Sequence, residues 1–154
     1  MSRAREVVTI AVKRRSKTDR RTSSLPFINL PMGIDVYAHW SGKTAADARA
    51  QITGFSVEHG HVGYLREAYD GEPYATRVLV PEAFEGETEI PASVLRARLP
   101  ETLRVATDRQ AHLYDEAAHS ERTEAVLKSF VEFVELCERK EAETGKLCRI
   151  AAHY

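Results

Sequence analysis

The side chains best suited to chemistry are concentrated in one stretch of this chain, residues 54–80. GFSVEHGHVGYLREAYDGEPYATRVLV holds two histidines, three tyrosines, two arginines and four acids between glycines, where a plain core segment would be mostly aliphatic. Polar aromatics and ionisable groups on short turns are the material of binding and catalytic loops. Within it, His59-Gly60-His61 is an HxH pair. On a strand, that spacing puts both imidazoles on one face, where Glu58, Glu67 or Asp35 would supply a third metal ligand. Two histidines on a glycine-rich turn need no metal, and a hydrogen-bonding or general acid/base role is the stronger expectation. Neither a metal nor a cofactor is expected.

A second set lies just upstream, in Gly33-Ile34-Asp35-Val36-Tyr37-Ala38-His39-Trp40. Strict alternation sends Ile34, Val36, Ala38 and Trp40 one way and Asp35, Tyr37 and His39 the other, which is a strand with one apolar and one polar face. If a helix over 64–70 covers the polar face, Arg66 and Glu67 complete a concave, mixed-charge pocket for a small polar or anionic ligand. The alternative is the solvated face of an open sheet. Arg77, on an otherwise apolar segment, needs a carboxylate, for which Asp35 or Glu67 is the natural partner. Tyr64, Tyr69, Tyr74 and Trp40 either form a stacking wall or belong to the core. The candidate ligand site is therefore Asp35, Tyr37, His39, His61, Tyr64, Arg66, Glu67 and Arg77. Were the domain an enzyme, His61 or His39 would move the proton and Arg66 or Arg77 would hold the anion. The chain has no GxSxG, no GxGxxG after a strand, no GxxxxGK[ST] and no HExxH, and Ser56 lacks the setting of a nucleophile elbow.

Several elements must position these residues. Ser41-Gly42 ends the first strand, and Thr44 with Asp47 forms a capping pair for a short helix through about Gln51. Tyr64, Leu65, Ala68 and Tyr69 recur at helical spacing, with Arg66 reaching Asp70, before Asp70-Gly71 and Pro73 stop the segment. Residues 76–80 read as a strand closed by Pro81, followed by an acidic loop over 82–89. From Ile90 the chain is helical. Pro91 suits a first turn, Pro100 starts a second helix or kinks a continuous one, and Leu99, Leu103, Ala106, Gln110, Leu113 and Ala117 form an apolar stripe. The last helix is capped by Ser120, carries Glu121 and Glu124 in its first turn and ends at Gly145. At about 100° per residue its apolar side chains span roughly 220°, about twice what docking on one surface needs. This helix is expected to be covered on two sides, by sheet and neighbouring helix or by a second subunit. A homodimer through 121–144 is the expectation. Residues 146–152 return as a final strand beside the first. The sum is α+β: a small, mostly antiparallel sheet packed on helices, with a C-terminal αα-hairpin ending in a long helix and a closing strand.

The bulk numbers agree with one domain. The chain has 154 residues, 43% of them hydrophobic and 29% charged, ordinary for a globular protein with a core of its own. No run approaches the roughly 18 apolar residues of a membrane span, and the short apolar run at 7–12 is followed by Lys13, Arg14 and Arg15, unlike a secretion signal. Residues 1–31 carry eight Lys/Arg against two acids, the remainder fourteen against twenty-one. The acidic body, 32–154, argues against nucleic acid as its partner. The basic stretch reads as an extension upstream of a start at Met32, as a basic arm, or as an arm adding an edge strand near 7–12. Cys137 and Cys148 have no CxxC spacing and read as buried thiols of a reducing, cytoplasmic compartment.

GIDVYAHW, GHVGYLREAYDGEPYATRVL and FVELCERKEAETGKLC resemble a family of small bacterial proteins of unassigned function, similar to the cargo of mobile elements such as integron gene cassettes. The resemblance covers about residues 32–154 and implies a bacterial, cytoplasmic protein; it brings no catalytic residues. Two functions remain in view: binding of a small polar or anionic molecule at the residues above, or an adaptor without catalytic activity working through helix 121–144.

Overall fold

A computed structural model of the protein describes residues 33–52, 57–113 and 116–154. The basic segment 1–31, with the strand read near 7–12, lies outside the described residues, as does Ser56. The described elements run β1 (Gly33–His39), α1 (Ala45–Ile52), a 3-10 turn (Val57–Val62), β2 (Tyr64–Ala68), α2 (Ala75–Leu79), a second 3-10 turn (Pro81–Glu85), β3 (Thr88–Ile90), α3 (Ala92–Leu113), α4 (Glu116–Thr144) and β4 (Cys148–His153). This is the expected α+β class. The four strands form one antiparallel sheet in the order β2-β1-β4-β3, so the closing strand does pair with the first.

β1 alternates as its sequence requires: Ile34, Val36 and Ala38 are fully buried, while Asp35, Tyr37 and His39 are half-buried on the other face. The apolar face joins Leu65, Ile90, Cys148 and Ile150 from the other strands to Leu95, Leu99, Val105 and Ala106 of α3 and Phe130, Phe133, Val134 and Leu136 of α4 in one core. The two long helices are antiparallel, because the start of α3 meets the end of α4: the Ala92 amide donates to Glu141 at 3.0 Å and Arg96 forks onto Glu138.

Two segments exchange the conformations expected of them. Residues 64–68 are a strand, not a helix, and 75–79 are a helix, not a strand. One residue explains both. Glu67 lies on the helix side of β2, where an acid disguises the period of two, and its carboxylate accepts from the Ala75 amide (2.7 Å), the Thr76 amide (2.9 Å) and the Thr76 hydroxyl (2.5 Å). It thereby satisfies the open donors that begin α2, so a tertiary cap overrides the β-branched character of the segment. α3 is continuous through Pro100, which sits on its exposed side. α4 begins at Glu116, four residues before the start expected at Ser120.

The wide apolar arc of α4 finds its two-sided cover within the chain. The helix packs along α3 and along the Val57–Val62 turn, and touches β2 and β4. Gly60 makes the second contact possible: a Cβ there would sit 1.9 Å from the Ser129 carbonyl oxygen of α4. Cys137 and Cys148 are free, buried thiols between α4 and β4. Among the described residues no helix is long and apolar enough to cross a membrane.

Candidate functional site

The strand register decides which candidates meet. Asp35 lies opposite Arg66 and Tyr37 opposite Tyr64 on β2, while β4 places His153, Ala151 and Arg149 opposite Asp35, Tyr37 and His39. All these residues share the face turned away from the core, so Asp35, Tyr37, His39, Tyr64 and Arg66 converge as expected. They do so through strand pairing and not under a helix. Arg149 and His153 join them, though neither stood out in the sequence.

Asp35 is the centre of this face. Its Oδ1 accepts from the Tyr64 hydroxyl and from Arg66 Nη1, both at 2.7 Å. The expected Arg66–Asp70 pair does not form; Arg66 pairs across the sheet instead. The Asp35 and Arg66 side chains are only 20% and 21% exposed, so the pair is far less screened than a surface salt bridge. The rings of Tyr37 and Tyr64 lie 5.2 Å apart, and His153 meets Tyr37 edge-on at 5.6 Å. Burial, then the bond to Asp35, pushes the Tyr64 hydroxyl well above the ordinary tyrosine range. Burial, then the Asp35 charge, also raises Tyr37. Both phenols are therefore donors at neutral pH.

At the end of β1 the face turns a corner. The Lys43 amide donates to the Trp40 carbonyl at 3.1 Å across Ser41-Gly42, and Gly42 holds φ +86°, a left-handed conformation that suits glycine. The expected capping box then starts α1: the Asp47 amide donates to Thr44 Oγ1 at 3.0 Å and the Thr44 amide to Asp47 Oδ2 at 2.9 Å. The turn folds Lys43 back over β1, so that Nζ donates to His39 Nδ1 at 2.9 Å, to Gln51 Oε1, and to the Ala38 carbonyl at 3.3 Å. Gln51, buried in α1, is itself fixed, because its Nε2 donates to the carbonyls of Ala38, Val62 and Gly63. On the far side of His39, Nε2 lies 4.0 Å from Glu87, which pairs with Arg149 at 2.9 Å.

The remaining candidates lie elsewhere. Glu67 is on the core side of the sheet and forms an ion pair with Arg109, whose Nε lies 2.8 Å from it. Arg77 meets neither Asp35 nor Glu67; it lies 3.9 Å from Glu72, with its guanidinium 4.6 Å from the centre of the Phe84 ring. His61 faces α4, with Nδ1 3.8 Å from Glu132, in a cleft shared with Glu121, Glu124 and Lys128. Three carboxylates against one lysine make that cleft unsuited to an anion. Residues 57–62 form a 3-10 turn and not the strand on which the HxH reading depended. Among the described residues no group of three metal-ligating side chains gathers. The aromatic residues split as well: Trp40 is buried beside Lys43 and Lys140, whereas Tyr69 and Tyr74 stack at 5.4 Å and Tyr69 approaches Tyr154 at 6.3 Å.

Fold and face together define an α+β domain whose antiparallel sheet is apolar toward its helices and carries an ionisable, aromatic-flanked network on the opposite side. No protein-family model, curated protein or solved structure matches this chain.

Proposed function

We propose that the domain binds a small polar or anionic molecule on the sheet face built by Asp35, Tyr37, His39, Tyr64 and Arg66, with Arg149 and His153 from the closing strand. The observation that carries this reading is the half-buried Asp35–Arg66 pair on the sheet face opposite the helices, fixed by the hydroxyl of the fully buried Tyr64. An ion pair held there adds little to stability, but it presents a fixed acceptor beside a fixed donor, flanked by the phenol of Tyr37 and the imidazole of His153. A ligand with both hydrogen-bonding senses fits such a surface. His61, Glu67 and Arg77 have no part in the reading.

Native mass spectrometry of the full chain, purified gently from cells, tests it. The expected result is a small co-purifying component that Asp35→Asn and Arg66→Lys both lose while the far-ultraviolet circular dichroism is unchanged. Retention of the component by both folded variants overturns the assignment. The same spectrum reads the oligomeric state. The homodimer expected through 121–144 rested on apolar surface to spare, and Phe130, Phe133, Val134, Leu136 and Cys137 are already buried within the chain. The adaptor reading drew on that helix and on the acidic surface of residues 32–154. Resemblance to mobile-element cargo of bacterial, cytoplasmic origin stays part of this proposal and adds no residue to it.

A further inference from the structure

Lys43 is the most unusual cation among the described residues. Its three donors are all taken, and every acceptor is neutral: an imidazole nitrogen, an amide oxygen and a backbone carbonyl. No carboxylate lies within 4.0 Å of Nζ among the described residues. The charged groups facing the corner are mixed. Asp47 from α1 and Glu87 from the strand edge oppose Arg149 and His153 of β4, and Lys140 of α4 lies 5.3 Å from the Trp40 ring that Lys43 approaches at 5.5 Å. Burial lowers the ammonium below the usual lysine range, against Asp47 and with Arg149. Burial, then Lys43 itself, likewise lowers His39.

The histidine is set up as the partner base. Nδ1 faces an ammonium, which can only donate, so Nδ1 is the bare nitrogen and Nε2 carries the hydrogen, toward Glu87. His39 and Lys43 thus stand as base and nucleophile within hydrogen-bond reach, with Glu87 4.0 Å beyond Nε2. The fixed amide of Gln51 holds the amine at the end of this relay.

We propose that Lys43 is a reactive amine, with His39 as its acid/base, for a small carbonyl compound bearing a carboxylate, such as a 2-oxo acid. His39 Nδ1 takes a proton from the ammonium, and the freed amine adds to the carbonyl carbon, forming the C–N bond as the C=O π bond opens. A second proton of the nitrogen passes to the resulting alkoxide. The imidazolium then returns its proton to that hydroxyl, the C–O bond breaks and one water leaves. The nitrogen lone pair closes the C=N bond of the protonated imine, which keeps the third proton. No electrons are exchanged, and no further reactant is needed. Arg149 lies on the strand opposite His39 and would meet the carboxylate by exchanging its present partner, Glu87, for it. This inference stands on the corner's own geometry and does not require the ligand reading above.

The test uses the full chain with glyoxylate and sodium cyanoborohydride, which traps imines as stable secondary amines, followed by peptide mapping. At pH 7 Lys43 should be modified at least about tenfold faster than Lys128, whose side chain is 72% exposed. The ratio should narrow toward pH 10, where ordinary lysines also lose their protons. His39→Gln, which keeps an acceptor for the amine but cannot carry a proton, should slow labelling of Lys43 about a hundredfold, while Lys128 is unaffected. Labelling that merely follows exposure, with Lys43 no faster than Lys128, overturns the proposal. So does an unchanged Lys43 rate in folded His39→Gln. The wild-type ratio needs no variant, so a misfolded substitution leaves the test decisive.

Discussion

Replacing Arg109 by methionine should cost more than any single change on the surface of this domain. The Arg109 side chain is 10% exposed and that of Glu67 9%, yet the guanidinium is well provided with partners. Nε lies 2.8 Å from the Glu67 carboxylate, Nη1 donates to the carbonyls of Gly71 (2.5 Å) and Pro73 (2.9 Å), and Nη2 to the Ala68 carbonyl (2.9 Å) and Asp70 (2.7 Å). Methionine fills much of the space but strands the Glu67 charge and three backbone carbonyls. Breaking a buried pair by removing one partner costs about 3–5 kcal/mol, a large share of the roughly 5–15 kcal/mol that holds a domain together. The exposed pair of Arg98 and Glu82 is the control. It is a two-point fork, with Glu82 46% exposed, and Glu82→Gln should cost no more than about 1 kcal/mol. Urea unfolding followed by circular dichroism and by fluorescence of the single, buried Trp40 reads both. Glu67→Gln added to Arg109→Met should recover part of the loss, because the stranded charge is gone while an acceptor remains for α2. An Arg109→Met cost below about 1 kcal/mol, or a double variant as unstable as the sum of the singles, refutes the buried-pair argument.

Further outcomes follow from other contacts. Gly60→Ala drives a Cβ against the Ser129 backbone and should cost about 1–3 kcal/mol, visible as a lower midpoint in the same urea series; an unchanged midpoint would mean that the Val57–Val62 turn does not bear on α4 as described. Thr44→Ala removes half of the capping box of α1 and should cost about 1 kcal/mol. For pH, His39 lies below its ordinary 6.5 in the fold through burial and the Lys43 charge, so the unfolded chain binds its proton more readily. Its stabilising contribution is complete above about pH 6.5 and is lost as pH falls through the lower, folded value. His39→Gln should flatten the fall in urea midpoint between pH 7.5 and 5.5, and an equally steep fall in the variant would place the acid sensitivity elsewhere.

How much of this was legible depends on whether each residue's partner was near in sequence. β1 could be read because its alternation is unbroken, and the Thr44–Asp47 box because both halves lie within one turn. The end of α4 at Gly145 and the closing strand were equally local. Residues 64–68 failed because five residues cannot separate a period of two from one of 3.6 when Glu67 occupies a core-side position. Its justification, Arg109, lies on a helix far along the chain. That failure carried over to the site. Asp35, Tyr37 and His39 share a face by phase alone, but the Asp35–Arg66 register and the separation of Glu67 from Arg66 appear only once 64–68 is a strand. A signal for Arg109 did exist: it falls at helical spacing from Thr102, Val105 and Ala106 on the buried stripe of α3, where an arginine demands partners. Lys43 had no such signal, since only the Gly42 turn brings it to His39.

Arg109 and Lys43 are both cations withdrawn from water, and counting charge rather than hydrogen bonds separates their roles. Arg109 has two carboxylates, Glu67 and Asp70, at 2.7–2.8 Å and neutral carbonyls for its remaining donors, so its ionised state is over-compensated and nothing is gained by changing it. Lys43 has equally complete hydrogen bonding but no carboxylate in contact among the described residues. Burial weighs most against its charge, Arg149 adds to that, and the more distant Asp47 and Glu87 offset it in part. A guanidinium cannot relieve such a position by losing a proton; an ammonium can. The only contact of Lys43 able to take that proton is His39 Nδ1, since an amide oxygen and a carbonyl cannot. A lysine kept merely to staple β1 to α1 would do so as well with an arginine in its place, whereas a reactive amine would not. Lys43→Arg should therefore leave the free energy of unfolding in urea within about 1 kcal/mol of wild type if stapling is all the site requires, and lose glyoxylate capture entirely. A folded arginine variant that retained the full excess of labelling at this peptide would show that the captured amine was never Lys43.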